Sequence, residues 1–458
     1  VHPHFPSLAP VREIRLAELL GALSHALDVT EGQPAGHCVR CCWIGVRIGQ
    51  EAGLDAQEIS DLYYTLLLKD LGCSSNAARI CELYLTDDLA FKQDYKQLGD
   101  ALPQVLRFVL THTGLKAGLA ERFRAILNIF QNGGQIAREL VETRCQRGAD
   151  IARKMRFSEA VAMGIQHLDE HWDGGGKPTH SRAADIPFNS QIALLAQIID
   201  VFHTASGAEA ALVEARRRAG NWFDPKWVDA FARIAADPAF WETLRSPDLF
   251  DEVLRLPPGL GGMVVDGDYL DDIAAAFAQV IDTKSPFTSG HSERVTLFTD
   301  MIAEQLGLGT EHRRWLRRAA LLHDIGKLGV SNAILDKPGK LDAEEWIAMR
   351  AHSALSEAIL RRIEAFRELA PIAGAHHERL DGKGYPRGLK GDEIALETRI
   401  LTTADIFDAL TAERPYRGAM PVAQALAIMS EMVGDAIDPR CFAALRAAMS
   451  VVEAREAA

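Results

Sequence analysis

The sequence predicts an all-α fold made of two tandem helical bundles, and three observations predict it. Apolar residues recur every three to four positions through segments such as 273–281 and 423–433, the period of a helix with one buried face. No series of alternating apolar and polar residues announces strands. The first half of the text also returns, in the same order, in the second.

Four blocks carry the repeat. Gly36-His37 through Arg40 returns as Gly290-His291 through Arg294, and Leu67 through Cys73 returns as Leu321 through Lys327. Trp172 through Pro178 then matches Leu380 through Pro386, and Ile199 through Phe202 matches Ala404 through Phe407. Between the copies lies Leu256-Pro257-Pro258-Gly259-Leu260-Gly261-Gly262, which cannot continue a helix. The expected division is residues 1–255, a linker over 256–267, and residues 268–458. The first copy carries extra residues around Tyr84 to Gly134 and a helical tail from about Glu209 to Arg255.

Bulk properties narrow the function. A chain of 458 residues with 48% apolar and 25% charged content is an ordinary globular protein of more than one domain. Its net charge of −13 argues against gripping a nucleic-acid polymer, which needs clustered Lys and Arg. Seven irregularly spaced cysteines suggest no disulfide framework and a reducing compartment. No apolar run approaches a membrane span, and the first residues lack a signal-peptide pattern, so the expectation is a soluble, cytoplasmic protein without a membrane partner.

The chemistry concentrates in the second copy. His323 and Asp324 follow the apolar run 319–322, and His376 and His377 follow the small-residue run 372–375. His352 lies in a helical segment, His291 lies near a helix start, and Asp405 interrupts the apolar stretch 400–407. Neighbouring imidazoles in apolar surroundings are costly unless something binds them. Five histidines and two aspartates read as a metal site with mixed nitrogen and oxygen donors.

Seven donors are too many for one ion that keeps a position open, so two divalent ions are expected. His291, His323, Asp324 and Asp405 would hold one. His352, His376, His377 and the second oxygen of Asp324 would hold the other. Two such ions, roughly 3.5–4 Å apart, can clamp a phosphoryl group for in-line attack. Imidazole with carboxylate suits iron or manganese first, with zinc, nickel or magnesium as further candidates. Lys327, three residues beyond Asp324, can reach a phosphate oxygen, and Asp408, three beyond Asp405, can orient a ligand histidine from behind.

The motif His323-Asp324 in Leu-Leu-His-Asp-Ile-Gly-Lys, followed by His376-His377 and Gly384-Tyr385-Pro386, resembles the HD-GYP family of the HD phosphohydrolase superfamily. The resemblance covers roughly residues 268–450. It implies HD-type helical bundles, a binuclear or trinuclear centre of iron or manganese, and hydrolysis of a cyclic dinucleotide to a linear dinucleotide and on to GMP. Cyclic di-GMP is the first expectation and 3′3′-cyclic GMP-AMP the alternative, with a non-catalytic nucleotide-binding or signalling scaffold as the rival class.

The resemblance also assigns Asp324 and Lys327 to catalysis and gives Lys327, Arg414 and Arg417 contacts with substrate. It makes the Gly384-Tyr385-Pro386 loop a candidate contact for a diguanylate-cyclase-type or other signalling partner. Phe287 stands where trinuclear members carry a glutamate, which favours two ions over three.

The first copy reads as degenerate. His37, Asp70 and Asp200 remain, but Lys69 replaces the HD histidine and Cys73 the lysine. Arg144 falls on the third histidine, and Leu168-Asp169 falls on the histidine pair. A regulatory, ligand-binding or dimerisation role, including a homodimer, is the expectation for this half.

Overall fold

The computed structural model describes residues 15–95, 102–115, 117–256, 265–413 and 417–456. Among them the regular structure is α-helix and short 3-10 helix, with three isolated β-bridges and no strand. The expected all-α class is what the molecule has. Most of the expected linker, residues 257–264, lies outside the described residues, as does Arg414.

Each half presents the same scaffold. A helix starts on a left-handed glycine, Gly36 or Gly290, and its first residue is His37 or His291. That turn is held from behind by a buried carboxylate. Asp28 accepts the backbone N–H of Gly36 and Cys38 at 2.7 and 2.8 Å, and Asp282 accepts the N–H and hydroxyl of Ser292. The next helix, Ala56–Leu68 or Thr310–Leu322, is capped at its C-terminus by Lys69 or His323. A 3-10 turn follows, Cys73–Asn76 or Ile325–Gly329.

The glycine before or within that turn is forced by a backbone crossing. A Cβ on Gly326 would collide with the carbonyl oxygen of His352 and lie 2.7 Å from the Ser356 nitrogen. A Cβ on Gly72 would meet Arg144 and Gly148 in the same way. The crossing places Arg144 where His352 stands.

The insertion in the first half forms the helices Asp88–Tyr95 and Leu102–His112 and the start of the long helix Leu119–Lys154. The tail forms Pro225–Ile234, Pro238–Arg245 and Leu249–Leu254.

One hydrophobic cluster runs through both halves, with Leu20, Leu67 and Ile199 joined to Phe277, Leu322 and Phe407. Helix Leu16–Thr30 packs against the turn 325–329 and helix Ala343–Arg361. Asp88, fully buried in the first half, accepts the N–H of Asn332 at 2.8 Å and the Ser331 hydroxyl at 3.2 Å, and pairs with Lys284 at 3.4 Å. Among the described residues no helix is long and apolar enough to cross a membrane.

Candidate metal centre

Five helical elements deliver the donors. His291 opens helix His291–Gln305, and His323-Asp324 end helix Thr310–Leu322. His352 lies within Ala343–Arg361, His376 and His377 follow the short helix Ala370–Gly374, and Asp405 lies within Leu396–Thr411. The structure brings all seven predicted side chains together, six of them buried and His377 part-exposed.

Asp324 stands between two groups. Its Oδ2 lies 3.2 Å from His291 Nε2 and 3.3 Å from His323 Nε2. Its Oδ1 lies 3.5 Å from His352 Nε2 and 3.6 Å from His376 Nε2. Asp405 reaches His291 at 3.6 Å through Oδ1 and His377 at 3.9 Å through Oδ2.

The far side of each ring fixes its tautomer. His323, His352 and His376 meet the carbonyl oxygens of Ala320, Met349 and Ala373 at 2.7, 2.5 and 2.5 Å through Nδ1. A carbonyl can only accept, so each ring donates Nδ1–H and turns a bare Nε2 inward. His291 Nδ1 lies 2.7 Å from Asp408 Oδ2, and Arg294 holds the same carboxylate at 2.6 Å. Asp408 therefore lies behind the His291 ring, on the side of Nδ1.

The electrostatics follow. Burial pushes His352 down to about 4 and His376 down to about 3. Burial also opposes charge on His291, but Asp324 and Asp408 outweigh it and raise the imidazolium to about 9. Burial works against the Asp324 anion too, yet His323 and Lys327 hold its carboxyl well below the usual range.

The donor set fits cations. The Nε2 atoms of His352 and His376 face each other at 3.4 Å, and both rings are neutral with their protons on the far nitrogen. Two lone pairs so close and so buried call for a cation to bind both. The buried Nε2 atoms of His291 and His323 and Oδ1 of Asp324 also lack a hydrogen-bond partner. Groups of donors within ion-binding reach are His291, His323 and Asp324 on one side and His352, His376 and His377 on the other.

Lys327 Nζ donates to Asp324 Oδ2 at 2.5 Å. Tyr385 packs its ring 4.8 Å from that of His377, leaving Pro386 of the same loop exposed. Gly384 has no room for a side chain, since a Cβ would lie 2.5 Å from Glu378 Cα and 2.6 Å from the His377 carbonyl. Arg417 donates to the Ala409 carbonyl at 2.5 Å, and its buried Nε has no partner.

Sequence reasoning missed Arg294, which locks Asp408, although its recurrence as Arg40 in the first copy was the available signal. It also missed Arg350, whose guanidinium lies 5.3 Å from the Tyr385 ring centroid.

The first half corrects one expectation. Asp200 does not occupy the place of Asp405. His37 Nδ1 meets Asp200 at 2.6 Å and Arg40 Nε meets it at 2.6 Å, reproducing the His291–Asp408–Arg294 arrangement. Asp200 is thus the partner of Asp408, and Gln197 stands where Asp405 stands. The misreading arose because the two aspartates lie one helical turn apart and each precedes a similar apolar pair.

Lys69 Nζ meets His37 Nε2 at 3.1 Å, Gln197 Oε1 at 3.2 Å, and the Asp70 carboxylate. An ammonium is thereby set among the counterparts of His291, Asp405 and Asp324. Arg144 pairs with Asp169, the counterpart of His377.

Comparison with known proteins matches residues 103–227 and 275–441 to the HD domain. A 3'3'-cGAMP-specific phosphodiesterase 3 of Vibrio cholerae is 56% identical over 437 residues, covering 95% of each chain. The crystal structure of a cyclic GMP-AMP specific phosphodiesterase of V. cholerae, V-cGAP3, is 51% identical with a TM-score of 0.65, covering 95% of this chain and 98% of that one. The cyclic di-GMP phosphodiesterase response regulator RpfG of Xanthomonas campestris is 42% identical over 170 residues, 37% of this chain and 45% of that protein. The chain belongs to the HD domain family, within the HD phosphohydrolase superfamily and alongside its HD-GYP phosphodiesterases.

Proposed function

We propose that this chain is a metal-dependent phosphodiesterase that opens 3′3′-cyclic GMP-AMP to a linear dinucleotide. In this reading residues 268–458 form the catalytic unit and residues 1–255 a regulatory one. The carrying observation is the 56% identity to a 3'3'-cGAMP-specific enzyme over 95% of both chains. The cyclic di-GMP relative RpfG matches over 37% of this chain, so it speaks for one half alone. The balance moves from cyclic di-GMP, the first expectation, to the alternative. A cytoplasmic setting agrees with seven free cysteines.

Divalent-metal dependence comes with the HD domain, and two ions held on either side of Asp324 would supply Lewis-acid polarisation of the phosphodiester. Iron or manganese suits the donors best. The protein's own part is positioning. The carbonyls of Ala320, Met349 and Ala373 hold three imidazole protons away from the centre, and Asp408 with Arg294 holds the fourth. Lys327 offers a point charge to a phosphate oxygen beside Asp324. Arg417, with its unpartnered Nε, and Arg414 would take the flanking phosphate or base.

The test is a product assay with metal-loaded protein on 3′3′-cyclic GMP-AMP and cyclic di-GMP side by side, with chelated and Asp324→Ala controls. Faster cleavage of cyclic di-GMP would reverse the substrate choice. Cleavage of neither by the loaded protein would remove the enzymatic reading.

A further inference from the structure

A cavity that shares no residue with the metal centre lies beside the first half's His37–Asp200 pair. Its volume is about 910 Å³, within the range of small-molecule sites. Two guanidinium groups border it from different halves of the chain. Arg245 ends helix Pro238–Arg245, and Arg362 directly follows helix Ala343–Arg361, which carries His352. Neither has an ion-pair or hydrogen-bond partner among the described residues. A third cation on the rim, Arg40, is committed to Asp200.

The lining contains one carboxylate, Asp28, and it is turned to the backbone N–H groups of Gly36 and Cys38. The charge facing the cavity is therefore positive in a protein of net charge −13. Two imidazoles add recognition without charge. His25 Nδ1 and His203 Nδ1 are buried and have no hydrogen-bond partner. Burial, then Arg362, lowers the affinity of His25 for a second proton, and burial does the same for His203. With Nδ1 shut away from solvent, each neutral ring has its other nitrogen left to offer a ligand's polar edge. Leu244 and Phe250 give the wall an apolar face on the side of the tail helices, and Ser24, Thr204 and Ser246 also line it.

Two guanidinium groups, two neutral imidazoles and an apolar face describe a ligand with phosphate at one end and a flat, hydrogen-bonding body at the other. We propose that this cavity is a binding site for a nucleotide-class organophosphate, clamped between Arg245 of the first half and Arg362 of the second. The site does not require the metal centre and stands apart from the hydrolytic reading. Its position would tie occupancy to the end of the helix that positions His352.

The experiment uses the full chain freed of metal by chelation, so that turnover is silent. Calorimetric titrations are run with GMP, 3′3′-cyclic GMP-AMP and inorganic phosphate. The expected result is nucleotide binding that Arg245→Gln or Arg362→Gln each weakens about tenfold or more, by loss of a charged hydrogen bond. Thr204→Trp, which fills the cavity from an exposed position on its rim, should abolish that binding.

Circular dichroism checks that each variant is folded. Wild-type protein that binds no nucleotide, folded arginine variants that bind normally, or a folded Thr204→Trp variant that binds normally would each overturn the proposal. Inorganic phosphate binding as tightly as GMP would overturn the nucleotide class. A protein that cleaves substrate but binds nothing here fails this inference alone.

Discussion

Removing the ammonium of Lys69 should damage the fold, because the side chain is completely buried and serves as the cation of the first half. Lys69→Met conserves approximate length but withdraws the charge from Asp70 and a donor from both His37 and Gln197. Asp70 is itself buried, and the thiols of Cys38 and Cys73 beside it, at 3.5 and 3.6 Å, are weak donors. Leaving one member of a buried ion pair behind costs about 3–5 kcal/mol. For a cooperative unit of roughly 150–250 residues that is a fall in melting temperature of about 6–20 °C.

Urea unfolding followed by circular dichroism measures the loss directly. A change below about 1 kcal/mol would refute the idea that this lysine does structurally what an ion does in the other half. The converse change is Lys69→His combined with Gln197→Asp. With His37 and Asp70 left in place, the first half then offers two imidazoles and two carboxylates, the same donor set as His291, His323, Asp324 and Asp405. Metal analysis of the folded double variant should show one more bound ion per chain.

The other predictions concern the second half. Asp408→Ala leaves His291 Nδ1 and Arg294 without their shared partner, so metal affinity or turnover should drop about 10–100-fold, read by metal titration and initial rates. Lys327→Met should keep metal content constant and cost about 100–1000-fold in kcat, since one preorganised charge facing the phosphate is removed. Gly326→Ala forces a Cβ into the His352 carbonyl, and a loss of about 1–3 kcal/mol with reduced metal content should appear in thermal melts and metal analysis. Chelation should lower the melting temperature of wild-type protein, because a ligand at 100 times its Kd stabilises the native state by about 2.7 kcal/mol, whereas an Asp324→Ala variant should barely respond.

Much of this centre was legible because its residues violate their surroundings. His323-Asp324 and His376-His377 stand next to apolar runs, where such groups are costly unless something binds them, and chain order kept them recognisable. The all-α class was legible from helical period alone. Other features left no such trace. Asp200 was placed one helical turn out of register, since short echoes cannot distinguish an aspartate in front of a histidine from one behind it. Arg245 and Arg362 are surface arginines in ordinary amphipathic text, and only the packing of helices Leu249–Leu254 and Ala343–Arg361 against helix Leu16–Thr30 brings them to one cavity. Asp88 likewise looks like a helix-start residue until its partners, far along the chain, are known.

That last contact bears on how the two halves depend on each other. The segment that leaves Lys327 runs directly into Ser331 and Asn332, and both are anchored by Asp88. The turn that presents Lys327 rests on helix Leu16–Thr30, where a side chain on Gly329 would lie 3.0 Å from Val29. The first half therefore braces the turn that presents Lys327. Its surface is part of what shapes the lysine's loop. If the first half is non-catalytic, as proposed, the second would still need it, because removing it takes away the support beneath Lys327.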